Sequence, residues 1–144
     1  MTIAVDFDGT IVRHRYPKIG EEIPFATDTL RMLISERHRL ILWTVREGRL
    51  LDEAIEWCKA RGVEFYAVNR DFPDEDATGS GFSRKIKADL FIDDRNFGGL
   101  PDWGTIYHRI RAGKALESDW SHLAYEDDEE GERKGFLSRL FGKR

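Results

Sequence analysis

The sequence predicts an α/β fold, a parallel sheet between helices in three α/β/α layers. Two observations carry that expectation. Short β-branched and apolar runs alternate with longer segments whose apolar residues recur at helical spacing, the order expected of parallel strands joined by right-handed crossovers. Three of the runs also give way at their C-terminal ends to polar or acidic residues, where open α/β sheets keep their functional groups.

Thr2 to Val5 reads as a buried strand that ends abruptly in Asp6-Phe7-Asp8-Gly9-Thr10, a polar turn. From Pro24 to about Arg37, the spacing of Phe25, Leu30, Leu33 and Ile34 predicts a helix with Pro24 in its first turn. Leu40 to Trp43 is a continuous apolar run of strand length, followed by Thr44. Glu47 to Arg61 is a second helix, with Leu50, Leu51, Ala54, Ile55, Trp57 and Cys58 on its period and Gly62 placed to end it. Val63 to Val68 predicts a third strand, and a polar loop runs on through Asp76 to Gly81. Ala88 to Ile92 predicts a fourth strand leading into Asp93-Asp94-Arg95. A short fifth strand or turn near Thr105 to Tyr107, then helical residues through about Leu116, complete the expected core over residues 1–118.

The 144 residues suit a single domain. With 40% hydrophobic and 35% charged residues the chain has the composition of a soluble globular protein. No apolar run approaches the roughly 18 residues of a membrane span. The N-terminal residues lack the basic and apolar regions of a secretory signal, which predicts a cytoplasmic protein. A formal net charge of −4 argues against a nucleic-acid partner. The one cysteine, Cys58, falls on a helical face and is expected to be packed.

Asp6 and Asp8 are two positions apart, so in an extended backbone both side chains leave on one side while Phe7 points into the core. Paired carboxylates call for a cation, and an oxygen-lined site that Asp93 can complete from a neighbouring strand suits Mg²⁺. Gly9 permits the sharp exit, and the amides of such a turn favour a phosphate oxygen. An aspartate that attacks a phosphate dianion also needs a compensating cation, which Lys85 or Lys87 could supply, with the Thr44 hydroxyl nearby. A calcium loop starting at Asp6 is excluded, because its sixth and twelfth positions hold Ile11 and Pro17 in place of glycine and glutamate. The four histidines show no ligand spacing; His14 follows the first motif closely enough to border a substrate.

Val5-Asp6-Phe7-Asp8-Gly9-Thr10, Leu42-Trp43-Thr44, Lys85 and Phe91-Ile92-Asp93-Asp94 together resemble the motifs of the haloacid dehalogenase-like phosphatases, in that family's order and over roughly residues 1 to 110. The resemblance implies a Rossmann-like core and a phosphomonoester hydrolase that works through an aspartyl-phosphate. By it, Asp6 is the nucleophile and Asp8 the general acid and base, while Thr44 and Lys85 hold the phosphoryl group. Mg²⁺ would be bound by Asp6, the backbone carbonyl of Asp8, and Asp93, with Asp94 binding through water or orienting the shell. Isoleucine stands at position 86 where the family often has proline, so Lys87 remains the alternative lysine.

Family members often cover their substrates with a cap domain, for which the loop of about fourteen residues after Thr10 and the similar loop after Val68 leave no room. The site is therefore expected to be capless and open to a phosphorylated small molecule or an exposed phosphate on a macromolecule, or to be covered by a second subunit of a homo-oligomer. Arg13, His14, Arg15, Tyr16, Arg46 and Arg49 are candidates to select an anionic substrate. A phosphotransferase or a non-catalytic phosphate-binding module are the competing readings. Residues 119–144 read as a tail: an acidic run from Glu126 to Glu132, then Phe136, Leu137, Leu140 and Phe141 on one face of a short basic amphipathic helix that would dock on protein.

Overall fold

The computed structural model describes residues 1–117. The expected tail, and with it the last residue of the expected core, lie outside the described residues. Within them the order is β1 (Thr2–Val5), α1 (Ala26–Ser35), β2 (Arg39–Leu42), α2 (Gly48–Lys59), β3 (Ala67–Val68), β4 (Leu90–Ile92) and α3 (Trp103–Arg111). The four strands form one parallel sheet in the order β3-β2-β1-β4. The α/β class read from the sequence is the fold observed.

The period-2 alternation of strand side chains divides the core in two. Ile3, Val5, Leu40, Leu42, Leu90 and Ile92 face one side, where they pack with Leu30 and Leu33 of α1, Ala54 and Cys58 of α2, and Trp103, Ile106 and Ile110 of α3. Ala4, Ile41 and Ala67 face the other side and form a smaller cluster with Ile86, to which Trp43, Ala88 and Phe91 add. The chain steps outward from β1 to β2 to β3 through helices, then returns across the sheet to β4 through residues 69–89, which hold no helix. The layer opposite the helices is thus built, among the described residues, from this connection and its buried Ile86.

Several boundaries differ from those the sequence suggested. Helix α1 starts at Ala26 because Phe25 sits in the left-handed region, at φ 67°, which places Pro24 in the preceding turn. Glu22 takes over the capping, its carboxylate accepting from the Thr27 amide at 2.8 Å and from the Thr27 hydroxyl. Strand β3 is confined to Ala67–Val68, because Val63 is tied to the end of α2 by its amide bond to the Cys58 carbonyl. The fifth strand or turn expected near Thr105 to Tyr107 is helix: Asp102 caps α3 by accepting from the Thr105 amide at 2.9 Å, and Trp103, Ile106 and Ile110 give the segment a buried helical face. No helix among the described residues is long and apolar enough to cross a membrane.

Candidate active site

Register places the acids. Val5 pairs with Leu42 on one side and Ile92 on the other, so the chain segments that follow these three residues leave the sheet at one level. The Asp6 amide donates to the Ile92 carbonyl at 3.0 Å, and the Trp43 amide donates to the Val5 carbonyl at 2.9 Å. Asp6 therefore stands beside Asp93, with Thr44 beyond the end of β2. Carboxylate oxygens of Asp6, Asp93 and Asp94 lie within 4.8 Å of one another, all three residues half-buried.

Thr10 organises this cluster from beneath. Its buried hydroxyl donates to Asp6 Oδ2 at 3.2 Å and accepts from the Asp94 amide at 3.0 Å, while its carbonyl accepts from Trp103 Nε1 at 3.0 Å. Gly9, at φ 91°, is the place where the turn leaves room for Asp94: a Cβ there would lie 2.3 Å from Asp94 Oδ2. Asp93 Oδ1 accepts from the Arg95 amide at 2.8 Å, fixing the turn after β4.

The cluster is short of positive charge. Burial first, and then the charges of Asp93 and Asp94, push the Asp6 carboxyl up from its ordinary 3.8 to about 7, against the opposing pull of the Phe7 amide and Thr10 hydroxyl. Asp94 Oδ1 is buried without a hydrogen-bond partner among the described residues. An unsatisfied carboxylate oxygen inside a group of three acids is the donor set a hard divalent cation such as Mg²⁺ requires, so the residues present fit such an ion.

Asp8 does not share this space. The strand ends at Val5, so the alternation that would put Asp6 and Asp8 on one side is lost in the turn, and the buried Asp8 carboxylate meets Arg46 instead. Arg46 Nε donates to Asp8 Oδ2 at 2.7 Å and Nη2 to Oδ1 at 2.8 Å, a bidentate pair. Further bonds run from Arg46 Nη1 to the carbonyls of Pro17 at 3.0 Å and Leu50 at 3.5 Å, and from Nη2 to that of Lys18 at 3.0 Å. The bond to Asp8, outweighing the burial that opposes it, raises the guanidinium further above its already high range. Arg46, expected from sequence to select substrate, is 1% exposed with every donor used, and so anchors the site from within.

The remaining sequence candidates are dispersed. Thr44 is half-buried, its amide bonded to Asn69 Oδ1 at 2.8 Å and its hydroxyl oxygen accepting from the Arg46 amide at 3.1 Å. Lys85 and Lys87 are exposed on either side of buried Ile86, and neither forms an ion pair with the acidic cluster among the described residues. Lys85 Nζ lies 5.8 Å from the centre of the Phe91 ring, on the face of the sheet away from the helices. His14 is exposed in the loop after the motif. Burial pushes the Cys58 thiol up to about 12, as expected of a packed cysteine without chemistry.

Sequence reasoning missed Thr10 as the bridge, Asn69 as the partner of Thr44, and Trp103 as the anchor of the turn. Asn69 carried a legible signal, a polar residue directly after a strand; the pairing of Trp103 with Thr10 spans 93 positions and carried none.

No family model and no curated protein matches the chain. A solved structure does: a conserved protein from Bacteroides thetaiotaomicron, 64% identical, with a TM-score of 0.76, the match covering 88% of this chain and 98% of that one. The chain belongs to that protein's family. The likeness extends over nearly the whole of that relative.

Proposed function

We propose that the chain is a Mg²⁺-dependent phosphomonoester hydrolase that works through an aspartyl-phosphate on Asp6, a phosphatase of the haloacid dehalogenase-like type. The observation that carries the reading is the convergence of Asp6, Asp93 and Asp94 at the C-terminal edge of the sheet, with one buried carboxylate oxygen left unsatisfied. Mg²⁺ bound there would be held by Asp6 and Asp93 with Asp94 behind them, and would neutralise the repulsion between the carboxylates and an incoming phosphate.

In this reading Asp6 attacks phosphorus and the bond from phosphorus to the ester oxygen breaks, while Asp8 gives its proton to the leaving oxygen. Water then attacks the aspartyl-phosphate, Asp8 takes the proton, and Asp6 leaves as a carboxylate with inorganic phosphate released. Thr10 holds the attacking carboxylate in place, and the Thr44 hydroxyl lies at the neighbouring strand end to meet a phosphoryl oxygen. Both Asp8 oxygens accept from Arg46, so proton transfer requires Asp8 to give up one of those bonds.

That last feature favours a second reading, a phosphate-ligand binding module without turnover, in which Asp8 serves only to hold Arg46 and the loop it ties. Phosphate release from 4-nitrophenyl phosphate and a metabolite panel, with and without Mg²⁺, separates the two. The hydrolase reading predicts release that needs both the metal and Asp6, with Asp6→Asn losing at least about a thousandfold. Binding of phosphate esters without release by folded wild-type protein would replace it with the binding module.

A further inference from the structure

The loop after the first motif carries charge that the proposed hydrolytic chemistry does not use. From Val12 to Gly20 the chain reads Val-Arg-His-Arg-Tyr-Pro-Lys-Ile-Gly, with three permanent cations, one histidine and no acid, in a protein whose net charge is −4. Arg13, His14, Arg15 and Lys18 are all exposed. The ion pairs of the described residues join Arg31 to Asp28, Arg46 to Asp8, Arg49 to Glu53 and Arg111 to Glu36, and none involves this loop's exposed cations.

The loop is also held in shape. At its base the Arg13 amide donates to the Glu21 carbonyl at 2.7 Å and the Ile23 amide to the Ile11 carbonyl at 2.9 Å. Gly20 packs so tightly that a Cβ there would lie 2.0 Å from the Arg13 carbonyl oxygen. At its tip, Arg46 binds the carbonyls of Pro17 and Lys18 and lies 5.3 Å from the centre of the Tyr16 ring. The same guanidinium grips Asp8, so the tip folds back to within one side chain of the motif that carries Asp6. A buried arginine with all its donors used thus ties the backbone of a loop, whose cations form no ion pair among the described residues, to the motif that carries Asp6, and a loop backbone already held in shape makes anion capture less costly in entropy.

We infer that the loop 13–18 is a second anion subsite, and that the preferred substrate is a small phosphate monoester bearing another anionic group, a second phosphate or a carboxylate, that Arg13 and Arg15 receive. The inference rests on the hydrolase reading for the word substrate, but the subsite is a matter of binding and is testable without turnover. Arginine suits the task because its planar fork meets phosphate or carboxylate with two bonds.

The test is equilibrium binding of glucose 6-phosphate and glucose 1,6-bisphosphate, by calorimetry in Mg²⁺ buffer, to the Asp6→Asn protein and to the same protein carrying Arg13→Ala and Arg15→Ala. Both arginines are exposed, so the fold should survive, which thermal melting checks; Arg49→Ala, which removes a cation already paired with Glu53, is the control. The bisphosphate is expected to bind about tenfold more tightly than the monophosphate, and the double alanine variant to shrink that gap to about twofold while leaving the monophosphate unchanged. A carboxylate-bearing ester, 3-phosphoglycerate, tells the two kinds of second anion apart: affinity equal to the bisphosphate's means the subsite accepts either. Equal affinity for mono- and bisphosphate in the parent, including no detectable binding of either, overturns the inference. So does an equal loss for both compounds in the double variant, which marks a diffuse field rather than a subsite. Wild-type phosphate release from 4-nitrophenyl phosphate is measured alongside, and its absence counts against the hydrolase reading alone.

Discussion

Two aspartates of one short motif meet opposite fates. Asp8 is buried and fully compensated: a bidentate arginine takes both oxygens, and that arginine's other donors bind the carbonyls of Pro17, Lys18 and Leu50. Asp6, two residues earlier, is half-buried among two further acids, with a threonine hydroxyl and an amide to relieve it among the described residues. The first arrangement is closed and holds the fold together. The second is left electrostatically incomplete, an arrangement that a bound cation would complete.

The largest effect expected from this contrast falls on the compensated side. Asp8→Asn leaves the Arg46 guanidinium buried without its counter-charge and should cost about 3–5 kcal/mol, read from urea unfolding. A loss below about 1 kcal/mol would mean that the pair is not the knot it is drawn as. Gly9→Ala should be nearly as severe, about 2–4 kcal/mol, since it forces a left-handed alanine against Asp94. Metal binding should fall with it, because Asp94 has to move.

On the incomplete side the sign reverses. With its carboxyl raised from 3.8 to about 7, folded Asp6 binds a proton more tightly than the unfolded chain does. Its contribution to metal-free stability is therefore fully present below about pH 4, is lost as pH rises towards 7, and stays lost above. Asp6→Asn removes that loss and should stabilise the metal-free protein at pH 8 by on the order of 1–3 kcal/mol, discounted for the water that still reaches the side chain, with the gain fading towards pH 4. Thermal melts of both proteins across that range would show it; a pH-independent difference would contradict the burial of charge at Asp6. The smallest effect belongs to Lys85→Ala, expected to change stability by less than about 0.5 kcal/mol because the residue is exposed. Compared with Lys87→Ala in the phosphate-release assay, it decides which lysine, if either, reaches the phosphoryl group.

Much of this was legible in the sequence because it depends on local pattern and register. Alternating apolar runs and helical periods gave the parallel sheet, and acids directly after two strand-like runs gave Asp6 with Asp93 and Asp94. The pairing of Asp8 with Arg46 was hidden for two reasons. Strand alternation was extended one turn too far past Val5, and the partner lies 38 positions away. The same distance problem hid Trp103 beneath Thr10. The misread segment at Thr105 to Tyr107 shows the limit of short windows: three residues of mixed character fit strand or turn, and only the cap at Asp102 with the buried face of Trp103, Ile106 and Ile110 decides for helix. The connection 69–89, which covers the second face of the sheet without a helix, has no periodicity from which its packing through Ile86 could be read.

The central claim is that Asp6, Asp93 and Asp94 form a cation site whose missing charge the metal supplies. Calorimetric titration of Mg²⁺ into the wild-type protein and into Asp93→Asn and Asp94→Asn, each paired with a thermal melt, tests it most directly. The account predicts saturable binding and a raised melting temperature for the wild type, both lost or strongly weakened in the two variants. Absence of binding by folded wild-type protein, or binding that the variants retain undiminished, would contradict it.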